Sequence, residues 1–255
     1  MCNLNNYIDF KEGNIPLILS VPHGGILECD SIPQRTNGVL GIDKGTIELT
    51  IDLVDYIQLK FEEEQLDIKF PYSINSKIRR SKVDINRRES EAYNQASNFA
   101  REIYTFYHGK IEEWVCSNLK SFGYSLLIDI HGFEKNARPS GFRDVEIILG
   151  TNNLGSIFSE SIPKRNWEKN LRGKIIQRFL QLGVPIAPGH PRRREYVLTG
   201  GYITKKYGAS NFARSQTIQI EFSDNIRIYN SKLRTIVLKT LAEIFYNYHL
   251  SKLDI

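Results

Sequence analysis

From Tyr124 to Ile130 the chain reads Tyr-Ser-Leu-Leu-Ile-Asp-Ile, an almost unbroken apolar run. A strand with one wet face alternates apolar and polar residues. A run like this one needs cover on both faces, which places it in the middle of a sheet with helices on either side. The rest of the chain supplies the pieces. Strand-length apolar segments at 16–21, 66–70, 145–149, 185–188 and 217–222 alternate with stretches of helical period at 43–61, 93–119, 168–182 and 231–250. In the first helical stretch Ile47, Ile51, Val54 and Ile57 recur every three to four residues behind Asp43, a plausible N-cap, and Gly109 is a point where the second could split. The alternation predicts an α/β fold with a mixed, mostly parallel sheet flanked by helices. No repeat or low-complexity linker divides the chain, so residues 1–255 are expected to form a single domain.

At 41% hydrophobic residues the chain carries enough apolar surface to exclude intrinsic disorder. It has no run of the ~18–20 apolar residues that a membrane helix needs. The first residues do not follow the basic-then-apolar pattern of a secretory signal, so a cytoplasmic location and no membrane partner are expected. The net charge of +5 suits an anionic partner without choosing between nucleic acid and a small carboxylate. Cys2, Cys29 and Cys116 are far apart and form no Cys-x-x-Cys pair, so any metal must be held by histidines and carboxylates.

Polar residues stand at the downstream ends of three apolar runs, the place where open α/β sheets build their sites. Ser20-Val21-Pro22-His23-Gly24-Gly25 ends the first, Ile128-Asp129-Ile130-His131-Gly132 the central one, and Gln219-Ile220-Glu221-Phe222-Ser223 a late one. Asp129 lies two residues before His131 and so shares its strand face, where its carboxylate can orient the imidazole. Glu221, in an apolar context, carries a desolvation cost that a partner or a catalytic task must justify. A fourth segment, Val83-Asp84-Ile85-Asn86-Arg87 within a basic stretch from Arg79 to Arg88, offers an amide and a planar guanidinium fork suited to a carboxylate. No aromatic residues interleave these basic ones as a nucleic-acid stacking platform would require.

Taken in order, SVPHGG at 20–25, VDINR at 83–87, IDIHGF at 128–133 and QIEFS at 219–223 resemble the N-formylglutamate amidohydrolase family, over roughly residues 16–227. Thr199-Gly200-Gly201-Tyr202 is similar as well. That family is similar in fold to the zinc carboxypeptidases and to the succinylglutamate and aspartoacyl deacylases. The resemblance implies one Zn²⁺ per chain held by His23 and His131, Glu221 as catalytic carboxylate, and Asn86 with Arg87 as a clamp for a substrate carboxylate; Arg80, or one of Arg192, Arg193 and Arg194, is the candidate to contact a second carboxylate or the oxyanion. The carboxypeptidases place a glutamate three residues after their first histidine, where this chain has Ile26; Asp43 is the first choice for the third ligand and Glu28 the second.

The expected activity is therefore metal-assisted hydrolysis of the amide of an N-acylated, carboxylate-bearing amino acid, with Glu221 as general base. His190 and the run Arg192-Arg193-Arg194 are further candidates for the site. A carboxypeptidase or deacylase with another acyl or peptide substrate is the nearest alternative. A basic nucleic-acid-binding protein on an inherited hydrolase fold is the alternative of a different class, disfavoured by the retained His23, His131 and Glu221.

Overall fold

Packing of the central apolar run explains the layering. In the computed structural model, which describes residues 3–64, 69–137 and 144–253, it lies inside a nine-residue strand. Among the described residues seven strands make one sheet: β1 (Ile8–Lys11), β2 (Leu17–Val21), β3 (Tyr72–Ser76), β4 (Ser125–Phe133), β5 (Ile147–Gly150), β6 (Ile186–Ala187) and β7 (Ser215–Ser223). Their order is β1-β3-β2-β4-β7-β5-β6. The inner strands β3, β2, β4 and β7 are parallel, β1 and β5 run antiparallel to their inner neighbours, and β6 pairs parallel with β5.

The helices are α1 (Thr46–Glu63), α2 (Glu89–Ala92), α3 (Asn98–Phe122), α4 (Leu171–Gln181), α5 (Tyr202–Tyr207) and α6 (Ser231–Leu253). Ile128 and Ile130 of β4 pack with Leu49, Leu53 and Ile57 of α1, Ile175 of α4 and Leu238 of α6 on one face. Leu127 packs on the other with Ile103, Tyr107, Ile111 and Trp114 of α3 and with Ile203 and Tyr207 of α5. The central strand is thus dry on both sides, as its composition demands. No helix among the described residues is long and apolar enough to cross a membrane.

Three local expectations are corrected. The strand expected at 66–70 is instead β3, six residues later; residues 65–68 lie outside the described part. Phe70 is occupied by Asn14, which accepts its N–H through Oδ1 and donates to its carbonyl, and pairing with the sheet begins only after Pro71, which has no N–H to give. The sequence Tyr-Ser-Ile-Asn-Ser hid this strand because three of its buried residues are polar. Helix α3 begins at Asn98, capped by Ser97, and runs through Gly109 unbroken. Helix α1 begins at Thr46 behind Gly45, whose φ of 82° turns the chain into the helix, so Asp43 is not its N-cap. That shift frees the Asp43 carboxylate for the sheet.

Candidate metal centre and active site

Register sets up the site. In the parallel ladders Ser20 pairs with Asp129, Asp129 with Gln219, and His131 with Glu221. Five polar side chains from three adjacent strands therefore share one face at the carboxyl ends of the sheet. β7 lies between β4 and β5, so Glu221 belongs to an inner strand. His23 joins them from the turn after β2, and Asp43 from the loop before α1, whose N–H donates to the His23 carbonyl at 2.9 Å.

His23, Asp43 and His131 are all buried and offer ligand atoms within 4.8 Å of one another. His131 Nδ1 stands 3.1 Å from Asp43 Oδ2, and His23 Nδ1 stands 3.1 Å from His131 Nδ1 and 3.6 Å from the same Asp43 oxygen. The opposite nitrogen of each ring meets a carboxylate: His23 Nε2 at 2.7 Å from Asp84 Oδ1, and His131 Nε2 at 2.9 Å from Asp129 Oδ2. Donation from both Nε2 atoms to those carboxylates fixes the tautomers and leaves both Nδ1 lone pairs converging with Asp43 Oδ2. Three electron-rich atoms facing inward repel unless a cation sits among them, and imidazole with carboxylate is a donor set suited to a divalent transition metal. Protonation answers the same demand: burial opposes a charge on His131, but Asp129 and Asp43 outweigh it and raise its pKa to about 10. Asp43 is likewise held well below the carboxylate range by the two histidines, against the effect of burial.

The residue that sequence reasoning left without a role is Asp84. Its Oδ1 takes His23 Nε2 and the Asn86 N–H, while its Oδ2 takes Nε of Arg80 at 3.0 Å, Nε of Arg87 at 3.4 Å and Nη1 of Arg35 at 3.4 Å. Burial works to raise this carboxyl, and His23 and Arg80 hold it far down. The signal for Asp84 was available, since Val83-Asp84-Ile85 repeats the aliphatic-Asp-aliphatic pattern of Ile128-Asp129-Ile130. One negative charge faces three guanidinium groups, so the neighbourhood remains anion-attracting. Arg80 and Arg87 open onto a cavity of about 860 Å³ with His23, Asp43, His131 and Glu221 in its wall. Among the described residues five cations (Arg80, Arg87, Arg88, Lys205 and Lys206) stand around it against the three acids Asp43, Glu91 and Glu221, which localises part of the chain's positive surplus here.

Glu221 is oriented by a second residue missed in the sequence. Gln219 Oε1 accepts the Gly201 N–H at 2.6 Å, so its amide nitrogen is the end that faces Glu221 and donates to Oε1 at 3.1 Å. Donation to a carboxylate favours its ionised form. The Thr199-Gly200-Gly201 turn is bare for a steric reason: a Cβ on Gly201 would stand 2.3 Å from Asn86 Nδ2. Asn86 itself accepts the Ile203 N–H at 2.8 Å and sets its amide nitrogen 3.0 Å from His131 Nε2 and 3.5 Å from Asp129 Oδ2. What it can offer a ligand is the remaining amide hydrogen.

Other candidates fall elsewhere. Glu28 is exposed and paired with Arg79 at 2.9 Å and Lys82 at 3.6 Å, away from the histidines. His190 is exposed in a turn and accepts the Arg192 N–H; Arg192 pairs with Glu168. Neither His190 nor any of Arg192, Arg193 and Arg194 lines the cavity.

No protein-family profile matches the chain, and no curated protein matches it in sequence. Among solved structures it is similar to N-formylglutamate amidohydrolase from Ralstonia eutropha, with a TM-score of 0.61 and 14% identity over 96% of this chain and 98% of that one. It is similar to a gene product of Agrobacterium tumefaciens at the same TM-score and identity, over 98% of this chain and 96% of that one. At this identity the likeness is one of fold, and it agrees with the fold expected from the sequence motifs.

Proposed function

We propose that this chain is a zinc-dependent amidohydrolase that cleaves the amide of an N-acylated amino acid bearing a free carboxylate, with N-formylglutamate as the model substrate. The observation that carries the reading is the convergence of His23 Nδ1, Asp43 Oδ2 and His131 Nδ1 at the base of a cationic cavity, with Glu221 on the neighbouring strand in register with His131.

His23, Asp43 and His131 would hold one zinc ion. Bound there, zinc supplies a Lewis acid for the scissile carbonyl and lowers the pKa of water to about 7. Glu221 is the general base: its carboxylate, oriented by Gln219, takes a proton from the attacking water and delivers it to the departing nitrogen. Arg87 and Arg80, spread by Asp84 through their Nε atoms, turn their outer nitrogens to the substrate carboxylate, and Asn86 adds one amide hydrogen. Their binding energy is spent on orientation of the amide.

The test is metal content and turnover together. Purified protein should carry close to one zinc per chain, lost in His23→Ala and His131→Ala, and should hydrolyse members of an N-formyl, N-acetyl and N-succinyl amino-acid panel. Glu221→Gln should keep the metal and lose turnover. A metal-free preparation with full activity would overturn the reading, and near-normal activity in Glu221→Gln would remove that residue from its role.

A further inference from the structure

The cavity that holds the histidines has a neighbour of about 470 Å³, and Arg87 and Glu91 line both. Arg87 is separated from His23 by Asp84 alone, through bonds of 3.4 Å and 2.7 Å. On its far side the guanidinium reaches the second cavity, where a Cβ placed on Gly38 would stand 3.5 Å from Arg87 Nη2. The residue assigned above to the substrate carboxylate therefore stands at a junction rather than at a dead end.

The chemistry of the second cavity differs from that of the first. Gln34, Thr36, Asn37, Ser90 and Asn94 give it uncharged polar walls. Arg35 also borders it, but its guanidinium is committed to the carbonyls of Glu91, Val39, Arg80 and Asn37 and to Asp84. Such a lining offers hydrogen bonds to amides and hydroxyls and little net attraction for a further anion. Specificity in clefts of this size comes from a few placed polar groups.

Building on the amidohydrolase reading, we propose that the second cavity is a subsite and that the substrate is an N-acylated acidic peptide, extended past the carboxylate-binding position by at least one polar, uncharged residue. The scissile N-acyl amide lies at the histidine cluster, the acidic residue's carboxylate at Arg80 and Arg87, and the next residue of the peptide in the second cavity. A lone N-formyl amino acid leaves that subsite unused.

The experiment compares kcat/KM for N-formyl-Glu with that for N-formyl-Glu-Ser and N-formyl-Glu-Gln, using the metal-loaded full chain. The extended substrates should be favoured at least tenfold, chiefly through KM. Ser90→Tyr and Thr36→Tyr put bulk into the subsite at two exposed positions on different segments, so loss of folding in one leaves the other to decide. Either substitution should cut the ratio of extended to short kcat/KM at least fivefold. A wild-type ratio of one or less, or a ratio unchanged within twofold in both folded variants, would overturn the subsite while leaving the amidohydrolase reading standing. Failure to hydrolyse any of the three substrates by metal-loaded protein would overturn both.

Discussion

His23 donates through Nε2 to Oδ1 of Asp84 at 2.7 Å, and the other oxygen of that carboxylate gathers the Nε atoms of Arg80 and Arg87. A single buried side chain thus sets both the direction of a proposed metal ligand and the spread of the proposed anion clamp. Asp84→Asn keeps the shape, removes the charge, and presents an N–H₂ to either the imidazole or the arginines. Loss of such an outer carboxylate typically costs ~10–100-fold in metal affinity. That loss should appear in chelator competition, together with a higher KM for carboxylate-bearing substrates. Metal affinity and KM both at wild-type values would separate Asp84 from the site.

Gln219 is the corresponding support for Glu221. Its orientation is fixed by the Gly201 N–H, so replacing it with leucine removes a donor to the carboxylate and introduces none. A hydrogen bond to a charged group is worth about 1.5–3 kcal/mol. In Gln219→Leu kcat should therefore fall about tenfold or more, with metal content unchanged. A wild-type kcat would show that Glu221 is positioned by its other surroundings.

Arg87→Lys keeps the charge but loses the planar fork and the Nε that engages Asp84. Charge-assisted bidentate bonds of this kind contribute about 1.5–3 kcal/mol. KM for N-formylglutamate should rise roughly 10–100-fold with kcat much less affected, while a substrate with both carboxylates amidated should be insensitive to the change. Equal loss on both substrates would mean that Arg87 serves the fold rather than the clamp.

How much of this was legible in the sequence depends on whether a residue's task leaves a local pattern. The central strand did, because cover on both faces demands an apolar run, and so did His23, His131 and Glu221, each a polar break at a strand end. β3 did not, since its buried Ser73, Asn75 and Ser76 imitate a loop. Arg227 left no pattern either. It is buried, donates to the carbonyls of Phe133 and Phe222 and to the Lys44 carbonyl, pairs with Glu134, and so ties the ends of β4 and β7 to the loop that carries Asp43. Its partners are scattered over nearly the whole chain. Arg227→Met leaves buried carbonyls unpaired, at about 1–3 kcal/mol each. Urea unfolding should register a loss of several kcal/mol, and metal binding should weaken as Asp43 loosens; a change below about 1 kcal/mol would deny Arg227 that role.

His108 ties stability to pH away from the reacting groups. It is buried on α3, with Nδ1 2.8 Å from the Tyr207 hydroxyl and Nε2 donating to the Ile85 carbonyl at 3.0 Å. Burial, with the nearby Lys206 charge, lowers its pKa to about 3. An unfolded histidine titrates near 6.5. Between these values the unfolded chain binds a proton that the native one refuses, so stability rises with pH across that window and levels off above it. The slope from this one group is about 1.4 kcal/mol per pH unit. His108→Gln removes the titration while keeping a side chain that can both donate and accept. Plotted between pH 6 and 4.5, the urea-derived stability of the variant should fall less steeply than that of wild type by about that slope, with parallel curves above pH 7. Parallel curves throughout the acid range would mean that His108 becomes protonated within the fold, and that the Tyr207 and Ile85 contacts open at low pH to admit the charge.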